Sequence, residues 1–239
     1  MTKVVVLCGG RGSRLSPLTD RIPKPLVTLN KRPLLAHLVE SYVKKGFHDF
    51  VICTGYRASM IEDFFKANDL GATVEFSDSG EQAGILKRLY DARNLMSKQV
   101  FVAYGDTLID LDLPALFEAH QASGAKMTIT TANVRSPFGL VGANDDGWVE
   151  SFEEKPLQSF YVGHMILDSS VLDNLPNRLI EMPDGEGLVE LFSCLSSSRS
   201  LLSVSYNGAQ ITFNTQQELS QAEHDIVTFF TQLEDAKCP

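Results

Sequence analysis

The chain has 239 residues, of which 44% are hydrophobic, and a formal net charge of −9 at pH 7. A chain of this length can bury one full core, so we expect a single domain over residues 1–239. The acidic balance argues against a nucleic-acid-binding protein, which usually presents a basic face. It also means that an anionic ligand must be met by locally clustered cations.

No apolar run approaches the roughly 20 residues that span a bilayer, so we expect no membrane partner. Residues 1–7 are too short for a secretory signal and are expected to be a first strand. The four cysteines show no metal-ligand spacing, and we interpret them as reduced thiols of a cytoplasmic protein. These cysteines are Cys8, Cys53, Cys194 and Cys238.

Apolar runs of strand type alternate with amphipathic runs of helical type through the first half of the chain. The predicted strands cover residues 4–7, 50–53, 73–76, 100–103 and 126–131. The predicted helices cover residues 34–42, with Gly46 as a C-cap, 61–65, 86–95 and 113–122. This alternation predicts an α/β fold with a mostly parallel, Rossmann-like sheet and helices on both faces.

After Pro137 the pattern changes to short strands separated by turns. The predicted strands cover residues 140–141, 148–152, 161–167, 201–204 and 211–213. The predicted helices cover residues 169–175, 186–195 and 219–233. No internal repeat and no linker interrupts the chain, which again favours one domain.

The most informative motif follows the first predicted strand. Residues 7–19 read Leu-Cys-Gly-Gly-Arg-Gly-Ser-Arg-Leu-Ser-Pro-Leu-Thr, and residues 23–26 read Pro-Lys-Pro-Leu. Glycines let backbone N–H groups approach phosphate oxygens, and Arg14 and Lys24 supply positive charge. A Walker loop is absent, and a dinucleotide-binding fingerprint fails at Leu15, where its third glycine should stand. The motif therefore predicts a binding site for a nucleoside triphosphate.

Together these residues resemble the signature of the sugar-phosphate nucleotidyltransferases, which join a nucleoside triphosphate to a sugar 1-phosphate and release pyrophosphate. Residues 50–57, 104–106 and 151–156 also fall in that family's order and approximate spacing. The likeness covers residues 3–175 well and the remainder poorly. Around residues 78–88 it is greatest to the glucose-1-phosphate cytidylyltransferases.

The resemblance implies a nucleotidyltransferase domain of the GT-A-like type, with two functional parts in one fold. The nucleotide-binding half is expected over about residues 1–135. A small β-rich sugar-phosphate-binding half is expected over about residues 136–215, and a C-terminal helix over residues 216–239.

The resemblance also implies that two loops contact the nucleotide. Those residues are Leu7, Gly9, Gly10, Arg11, Gly12 and Ser13 in the first loop, and Gly80, Glu81 and Gly84 in the second. Such enzymes bring two anions together for in-line attack, so positioning and charge neutralisation can supply the catalysis. Arg14 is assigned to the leaving pyrophosphate, and Lys24, expected on an exposed loop, to the α-phosphate.

The identity of the nucleotide is less closely defined. CTP is favoured by the resemblance, although the second loop is shorter than in the cytidylyltransferases, and GTP or UTP is the alternative. Lys87 and Arg88, on the helix that follows this loop, either contact the nucleotide or face solvent.

Asp106 follows the predicted strand 100–103, at the sheet edge where ligands bind. One or two carboxylates with phosphate oxygens and water typically hold Mg²⁺, so Asp106 is a candidate ligand, the alternative being a helix cap. The second metal-binding aspartate of the similar enzymes corresponds to Asn214 here. Asn214 can bind Mg²⁺ through its carbonyl without adding charge, or can cap the final helix, and both interpretations stay open.

The resemblance places the sugar 1-phosphate against Tyr104, Gly139, Glu154, Lys155 and Gly163. Lys155 would hold the phosphate and Glu154 would accept hydrogen bonds from ring hydroxyls, while the alternative for this pair is a solvated charged turn.

The family's Asn-Gly pair is replaced here by residues 161–164, Tyr-Val-Gly-His, so the sugar pocket differs from the usual one. The sugar is therefore left open, and His164 is a further candidate contact.

These observations predict a cytoplasmic, Mg²⁺-dependent enzyme that makes an NDP-sugar for surface glycan synthesis. A homo-oligomer is compatible with the family. One alternative is an enzyme that uses GTP or UTP with a heptose or amino-sugar phosphate. Another is a non-catalytic relative that binds a nucleotide, which the missing charge at Asn214 would explain.

Overall fold

The computed structural model describes residues 2–235, with side chains described up to Phe229. Within that range the strands are β1 (Lys3–Leu7), β2 (Thr28–Leu29), β3 (Arg32–Pro33), β4 (Asp49–Thr54), β5 (Thr73–Asp78), β6 (Gln99–Tyr104), β7 (Thr107–Ile109), β8 (Met127–Arg135), β9 (Leu140–Ala143), β10 (Val149–Glu153), β11 (Leu157–Asp168), β12 (Leu201–Tyr206) and β13 (Gln210–Thr212). The α-helices are α1 (Leu34–Val43), α2 (Ala58–Ala67), α3 (Ile85–Ala92), α4 (Leu113–Ser123), α5 (Asn177–Ile180), α6 (Glu186–Ser197) and α7 (Gln216–Asp235).

Seven strands form one sheet in the order β12-β8-β11-β6-β1-β4-β5. β11 runs antiparallel to both of its neighbours, and the other strands are parallel to one another. The central strands β1, β4 and β6 are almost entirely buried, which explains their continuous apolar runs. The predicted mostly parallel sheet is therefore confirmed.

Helices cover both faces of this sheet. Val4 and Val6 of β1 belong to a core shared with α1, α4 and α7, whereas Val5 belongs to a second core shared with α3 and α6. Successive side chains of a strand point to opposite faces, so the three valines alone show that each face is packed. The predicted two-sided arrangement is confirmed.

Some predicted elements differ from those observed. The helix expected over residues 169–175 is only a 3₁₀ turn, Ser169–Leu172. The Asp168 carboxylate accepts a hydrogen bond from the Ser170 N–H and caps this turn, and Pro176 disfavours helical backbone at Leu175. The C-cap of α1 is Lys44 and not the predicted Gly46, which lies two residues later in the left-handed region, with φ 87°, and donates its N–H to the Val43 carbonyl.

A two-stranded ribbon projects beyond the main sheet. β9 and β10 pair with each other alone, and residues 133–135 of β8 pair with residues 157–159 of β11 beyond the core. We call residues 133–160 the arm. Its large apolar side chains are mostly exposed, in contrast to the buried strands of the sheet.

Among residues 2–235, no helix is both long and apolar enough to cross a bilayer. The three described cysteines carry free thiols, with Cys8 and Cys53 buried and Cys194 exposed. Burial raises the pKa of the Cys53 thiol to about 12. Cys238 lies outside the described residues.

Candidate active site

A cavity of about 560 Å³ opens at the carboxyl ends of the parallel strands. Ten of the predicted site residues line it: Leu7, Gly9, Gly10, Arg11, Gly12, Arg14, Lys24, Glu81, Tyr104 and Asp106. This is the edge at which ligands bind in open α/β sheets. The folding of the sheet thus brings the first glycine loop, the second loop and Asp106 to one cavity.

The backbone of the first loop is shaped to meet a ligand closely. Gly12 adopts φ +65°, and its carbonyl accepts a hydrogen bond of 2.9 Å from the Thr19 hydroxyl. A Cβ built on Gly10 would meet no atom within 4 Å, so open space lies beside that residue. Glycine therefore serves two purposes here, a left-handed turn at Gly12 and close approach at Gly10.

The Arg88 side chain connects three backbone segments that surround the cavity. Its side chain is buried, and its guanidinium donates to the carbonyls of Gly9 (3.1 Å), Glu81 (3.2 Å) and Thr54. The Gly9 carbonyl lies just after β1, the Thr54 carbonyl lies at the end of β4, and the Glu81 carbonyl lies in the loop after β5. The solvent-facing alternative is therefore wrong for Arg88, which lines the cavity, whereas Lys87 lies nearer the surface and pairs with Asp91.

The charge of Arg88 has no carboxylate partner within the described residues. Burial lowers the pKa of its guanidinium, but carbonyl oxygens stabilise the cation and arginine stays protonated. The positive charge of Arg88 consequently lies beneath the glycine loop, at the wall of the cavity.

Gly9→Ala is expected to lower the free energy of unfolding by about 2 kcal/mol, because overpacking costs that much in a rigid interior. The added Cβ would lie 2.0 Å from Arg88 Nη1 and would force the guanidinium from its three carbonyls. Thermal unfolding should show a Tm lower by several degrees. Gly10→Ala is the matched control, since its Cβ meets nothing. Equal Tm values for the two variants would contradict the packing described here.

Lys24 lies at the bottom of the cavity, only 5% exposed. Its Nζ donates to Asp106 Oδ2 at 2.7 Å and to Asn214 Oδ1 at 3.1 Å, and lies 5.5 Å from the centre of the Phe213 ring. The expectation of an exposed loop lysine is wrong. The surrounding prolines fix a 3₁₀ turn, Lys24–Leu26, and the two oxygen acceptors compensate the ammonium for its burial.

Neither Asp106 nor Asn214 caps a helix with its side chain. Asp106 is followed by β7, and α4 is instead capped by the Asp112 carboxylate, which accepts from the Ala115 N–H. At α7 the Thr215 hydroxyl accepts from the N–H of Glu218. The capping alternatives are therefore wrong for both residues, and both side chains face Lys24.

The donor set suits a hard divalent cation. Asp106 offers a carboxylate and Asn214 an amide oxygen, and both lie against one ammonium group. Mg²⁺ is usually held by one or two such oxygens, with phosphate and water completing the shell. Among the described residues no group of three or more His, Cys, Asp or Glu side chains forms an all-protein metal site. The residues fit Mg²⁺ bound together with a phosphate ligand.

Tyr104 and Gly163, both expected near the second substrate, lie together. β11 contains a bulge there, Gly163 has φ +75°, and a Cβ on it would be 3.0 Å from the Tyr104 ring. The Tyr161 ring packs edge-on against Tyr104, with centroids 5.9 Å apart. Glycine is thus required both by the backbone and by the aromatic side chain across the sheet.

His164, the other candidate in this segment, is buried. Its Nδ1 lies 3.3 Å from the Val162 carbonyl, and burial lowers its pKa to about 4. The neutral imidazole does not line the cavity. It is positioned to pack in the core.

Gly139, Glu154 and Lys155 lie on the arm, and none of them lines the cavity. Both charged side chains are exposed, and they form an ion pair of 4.0 Å with each other. The part of β11 between Leu157 and Gly163 alone spans roughly 20 Å at about 3.3 Å per residue. The assigned role of these three residues in sugar phosphate binding remains a prediction.

Several residues of the cavity were not predicted. They are Cys8, Pro25, Gln82, Ala83, Ile85, Asp184 and Gly185. Asp184 and Gly185 precede α6, and the Asp184 carbonyl accepts a hydrogen bond of 2.6 Å from the Ile85 N–H. The Pro-Asp-Gly sequence indicates a turn, but only the tertiary fold brings that turn to the second loop. Ser13, Gly80, Gly84 and Asn214 do not line the cavity itself.

The first and second loops also contact each other at the cavity. Arg11 Nη1 lies 3.2 Å from Glu81 Oε1, and the Arg11 guanidinium packs over the Tyr56 ring at 5.4 Å. Both charged side chains remain partly exposed, so the ion pair itself contributes little to stability. The pair does place the Glu81 carboxylate, a hydrogen-bond acceptor, and the Arg11 guanidinium, a cation, at the wall of the cavity.

A glycine loop at the carboxyl edge of a parallel sheet, with clustered cations and a pair of hard oxygen donors, is typical of α/β proteins that bind phosphates. The family model described as nucleotidyl transferase matches residues 3–192. The chain belongs to the nucleotidyl transferase family. The predicted family, fold class and enzyme class are thereby confirmed.

Relatives in this family differ in the nucleotide named for them. A probable glucose-1-phosphate cytidylyltransferase of Bacillus subtilis (strain 168) is 30% identical over 213 residues, 79% of this chain and 84% of that protein. A mannose-1-phosphate guanyltransferase of Debaryomyces hansenii is 32% identical over 219 residues, 86% of this chain and 59% of that protein. The crystal structure of HddC from Yersinia pseudotuberculosis matches with a TM-score of 0.72 at 22% identity, covering 95% of this chain and all of that one. This last likeness concerns the fold.

Proposed function

We propose that the protein transfers a nucleotidyl group from CTP to a sugar 1-phosphate, giving an NDP-sugar and pyrophosphate. The observation that carries this proposal is the buried Lys24 held between Asp106 and Asn214 at the base of the glycine-loop cavity. A buried lysine with two oxygen partners is preorganised, so it can meet developing charge without solvent rearrangement.

The charges around the cavity support the roles assigned to Arg14 and Lys24. The basic side chains that line the cavity are Arg11, Arg14, Lys24 and Arg88, against three acidic ones. This local excess of cations occurs in a chain of net charge −9, as expected for a site that holds two anions. Arg14, exposed beside the glycine loop, faces the pyrophosphate, and Lys24 meets the α-phosphate as charge builds up there.

Asp106 and Asn214 are the residues that would hold Mg²⁺. The ion, when bound, supplies charge neutralisation of the phosphates. The chain itself orients the triphosphate through the backbone of Gly9 to Gly12, and Lys24 keeps the two oxygen ligands facing the same point.

The acceptor at Glu81 supports CTP over UTP. With the phosphates at Arg14 and Lys24, the base extends along the cavity toward the second loop, whose Glu81 carboxylate lines the wall. A carboxylate accepts a hydrogen bond from the exocyclic amino group of cytosine, and uracil carries a carbonyl at that position. Guanine also offers an amino group, so GTP is the closer competitor.

The proposal is tested by pyrophosphate release with Mg²⁺. CTP, GTP and UTP are each paired with glucose 1-phosphate, mannose 1-phosphate, a heptose 1-phosphate and an amino-sugar 1-phosphate. We expect the highest kcat/KM with CTP. Higher kcat/KM with GTP or UTP would overturn the nucleotide assignment. Tight CTP binding without release from any pair would identify a non-catalytic relative, and binding of no triphosphate would overturn the whole proposal.

Asn214→Asp is expected to tighten Mg²⁺ binding about tenfold, because a second carboxylate adds the charge that the amide lacks. The Mg²⁺ concentration for half-maximal pyrophosphate release should fall accordingly. Calorimetric titration of Mg²⁺ into the complex with a non-hydrolysable CTP analogue gives the same comparison without turnover. Asn68→Asp, in the exposed loop after α2, is the matched control. An unchanged Mg²⁺ requirement in Asn214→Asp would remove this residue from the metal site.

A further inference from the structure

Arg88 is a cation of the cavity wall to which the proposed reaction assigns no step of its own. The residue is only 4% exposed, and its guanidinium donates to the carbonyls of Gly9, Thr54 and Glu81. Glycine leaves room for this group, because a Cβ on Gly9 or on Gly55 would overlap the guanidinium. A buried cation costs free energy unless its hydrogen bonds are satisfied, and here the backbone of the cavity wall satisfies them.

A carbonyl that is held in place also fixes the N–H group of the next residue. In a trans peptide unit the C=O and the following N–H lie in one plane and point in opposite directions. Because Arg88 holds the carbonyls of Gly9 and Glu81, the N–H groups of Gly10 and Gln82 point away from the guanidinium. Rotation of either peptide unit would break a hydrogen bond to a charged donor, which is stronger than one between neutral groups.

These two N–H groups are available to a ligand. Gly10 and Gln82 both line the cavity. Within residues 2–235, neither N–H donates to another group of the protein. Open space lies beside Gly10, where an added Cβ would meet no atom within 4 Å. Free backbone N–H groups at the wall of such a cavity can donate to the oxygen and nitrogen acceptors of a nucleotide.

The second loop presents an acceptor and a donor in successive residues. The Glu81 carboxylate is the acceptor that the proposed function gives to the amino group of cytosine, and the Gln82 N–H supplies a donor. Cytosine carries its amino group beside a ring nitrogen without hydrogen, whereas uracil carries a carbonyl beside an N–H. An acceptor next to a donor therefore matches cytosine and opposes uracil. A rotated Glu81–Gln82 peptide unit would turn a carbonyl toward the base instead.

We propose that Arg88 is a positioning residue for nucleotide recognition. By holding the carbonyls of Gly9 and Glu81, it keeps the N–H groups of Gly10 and Gln82 directed at the nucleotide. Through Gln82 it contributes to the choice of CTP over UTP. In this role the guanidinium acts through the backbone and not by contact with the substrate. The inference rests on the proposed function, since it needs a nucleotide in this cavity.

Arg88→Met removes the guanidinium and keeps a long side chain in its place. The KM for CTP should rise about thirtyfold, because two backbone hydrogen bonds of ordinary strength lose their orientation. The kcat should stay within about threefold of wild type, since binding is lost and the groups at the reacting phosphate remain. The ratio of kcat/KM for CTP to that for UTP should fall about tenfold. Steady-state pyrophosphate release with each nucleotide measures all three quantities.

Arg88→Lys separates the charge from the geometry. Lysine keeps the positive charge but lacks the planar fork, so it cannot hold three carbonyls in the same arrangement. It should therefore raise the KM and lower the CTP-to-UTP ratio, as Arg88→Met does. Wild-type values in Arg88→Lys would show that the charge alone acts, and would overturn the positioning role.

Arg93→Met is the matched control. Arg93 lies at the end of α3, donates to the Tyr90 carbonyl at 2.7 Å, and does not line the cavity. Its loss should leave the KM and the ratio at their wild-type values. Equal changes in Arg93→Met and Arg88→Met would trace the effect to α3 as a whole and would overturn the proposal.

The ratio also separates positioning from a purely structural role. Partial unfolding lowers the kcat per chain equally for both nucleotides and leaves the KM and the ratio unchanged, so that result would overturn the proposal. Should Arg88→Met fail to fold, as seen by circular dichroism, Arg88→Lys carries the same comparison.

The proposed function is tested by wild type alone, in the panel of triphosphates. The Arg88 variants are compared with wild type on the triphosphate that wild type uses best. An unchanged KM for that triphosphate would overturn the positioning role, whichever nucleotide it is. A raised KM with an unchanged CTP-to-UTP ratio would overturn the part of Arg88 in the choice of base.

Discussion

Lys24→Met is expected to reduce kcat/KM by about a thousandfold, the upper range for the loss of one preorganised charged donor. Methionine has nearly the same length and apolar volume, so the change removes the ammonium group while it preserves packing against Phe213. Because Lys24 is buried with Asp106 and Asn214, no other described cation is placed to replace it there. Steady-state kinetics of pyrophosphate release measures the effect.

The fold should survive this substitution. The Asp106 side chain keeps 34% exposure, so water can hydrate the carboxylate once its partner is lost. We expect a change in unfolding free energy of about 1 kcal/mol, the size of a partly solvated ion pair. Lys66→Met, on α2 and 69% exposed, is the control for removal of a lysine charge. If Lys24→Met kept the wild-type kcat/KM, the assignment of Lys24 to the reacting phosphate would be wrong.

Asp106→Asn is expected to lower kcat by at least about a thousandfold and to raise the Mg²⁺ concentration needed for activity. The change leaves two amide oxygens and no carboxylate in the donor pair, so the site loses its only formal negative charge for the cation. It also removes the charge partner of Lys24, whose ammonium would then be buried among neutral acceptors. Mg²⁺ titrations of pyrophosphate release and of analogue binding separate the two effects.

Asp110→Asn is the matched control for this second substitution. Asp110 follows β7, is 33% exposed, and forms an ion pair with Lys45. It therefore resembles Asp106 in exposure and pairing, but it does not line the cavity. Loss of turnover in both variants would point to damage of the β7 region. If neither variant lost turnover, the metal would have to bind away from Asp106.

The parallel sheet and its binding edge could be predicted because their signals are local. The continuous apolar run of residues 100–103 indicates a buried central strand without reference to its neighbours. The glycine loop likewise indicates a turn whose backbone can accommodate an anion. Asp106 was found in the same way, from its position just after a strand. Because the glycine loop and Asp106 each follow a strand of the parallel sheet, both were expected at the carboxyl edge of that sheet.

Other features depend on contacts between distant segments. Lys24 is buried because Asp106 and Asn214, 82 and 190 residues away, provide its acceptors. The sequence left Arg88 as either a nucleotide contact or a solvent-facing helix residue, and the three backbone carbonyls that hold its buried side chain come from distant segments. The exposure of the apolar side chains on the arm was also missed, since an alternating strand pattern does not say whether a core covers the strand.

The position of Arg88 has a consequence for how the molecule opens. One guanidinium fastens the ends of β1 and β4 and the loop after β5, so none of the three can detach without releasing the others. Backbone amides in these segments should therefore exchange with deuterium as one cooperative group.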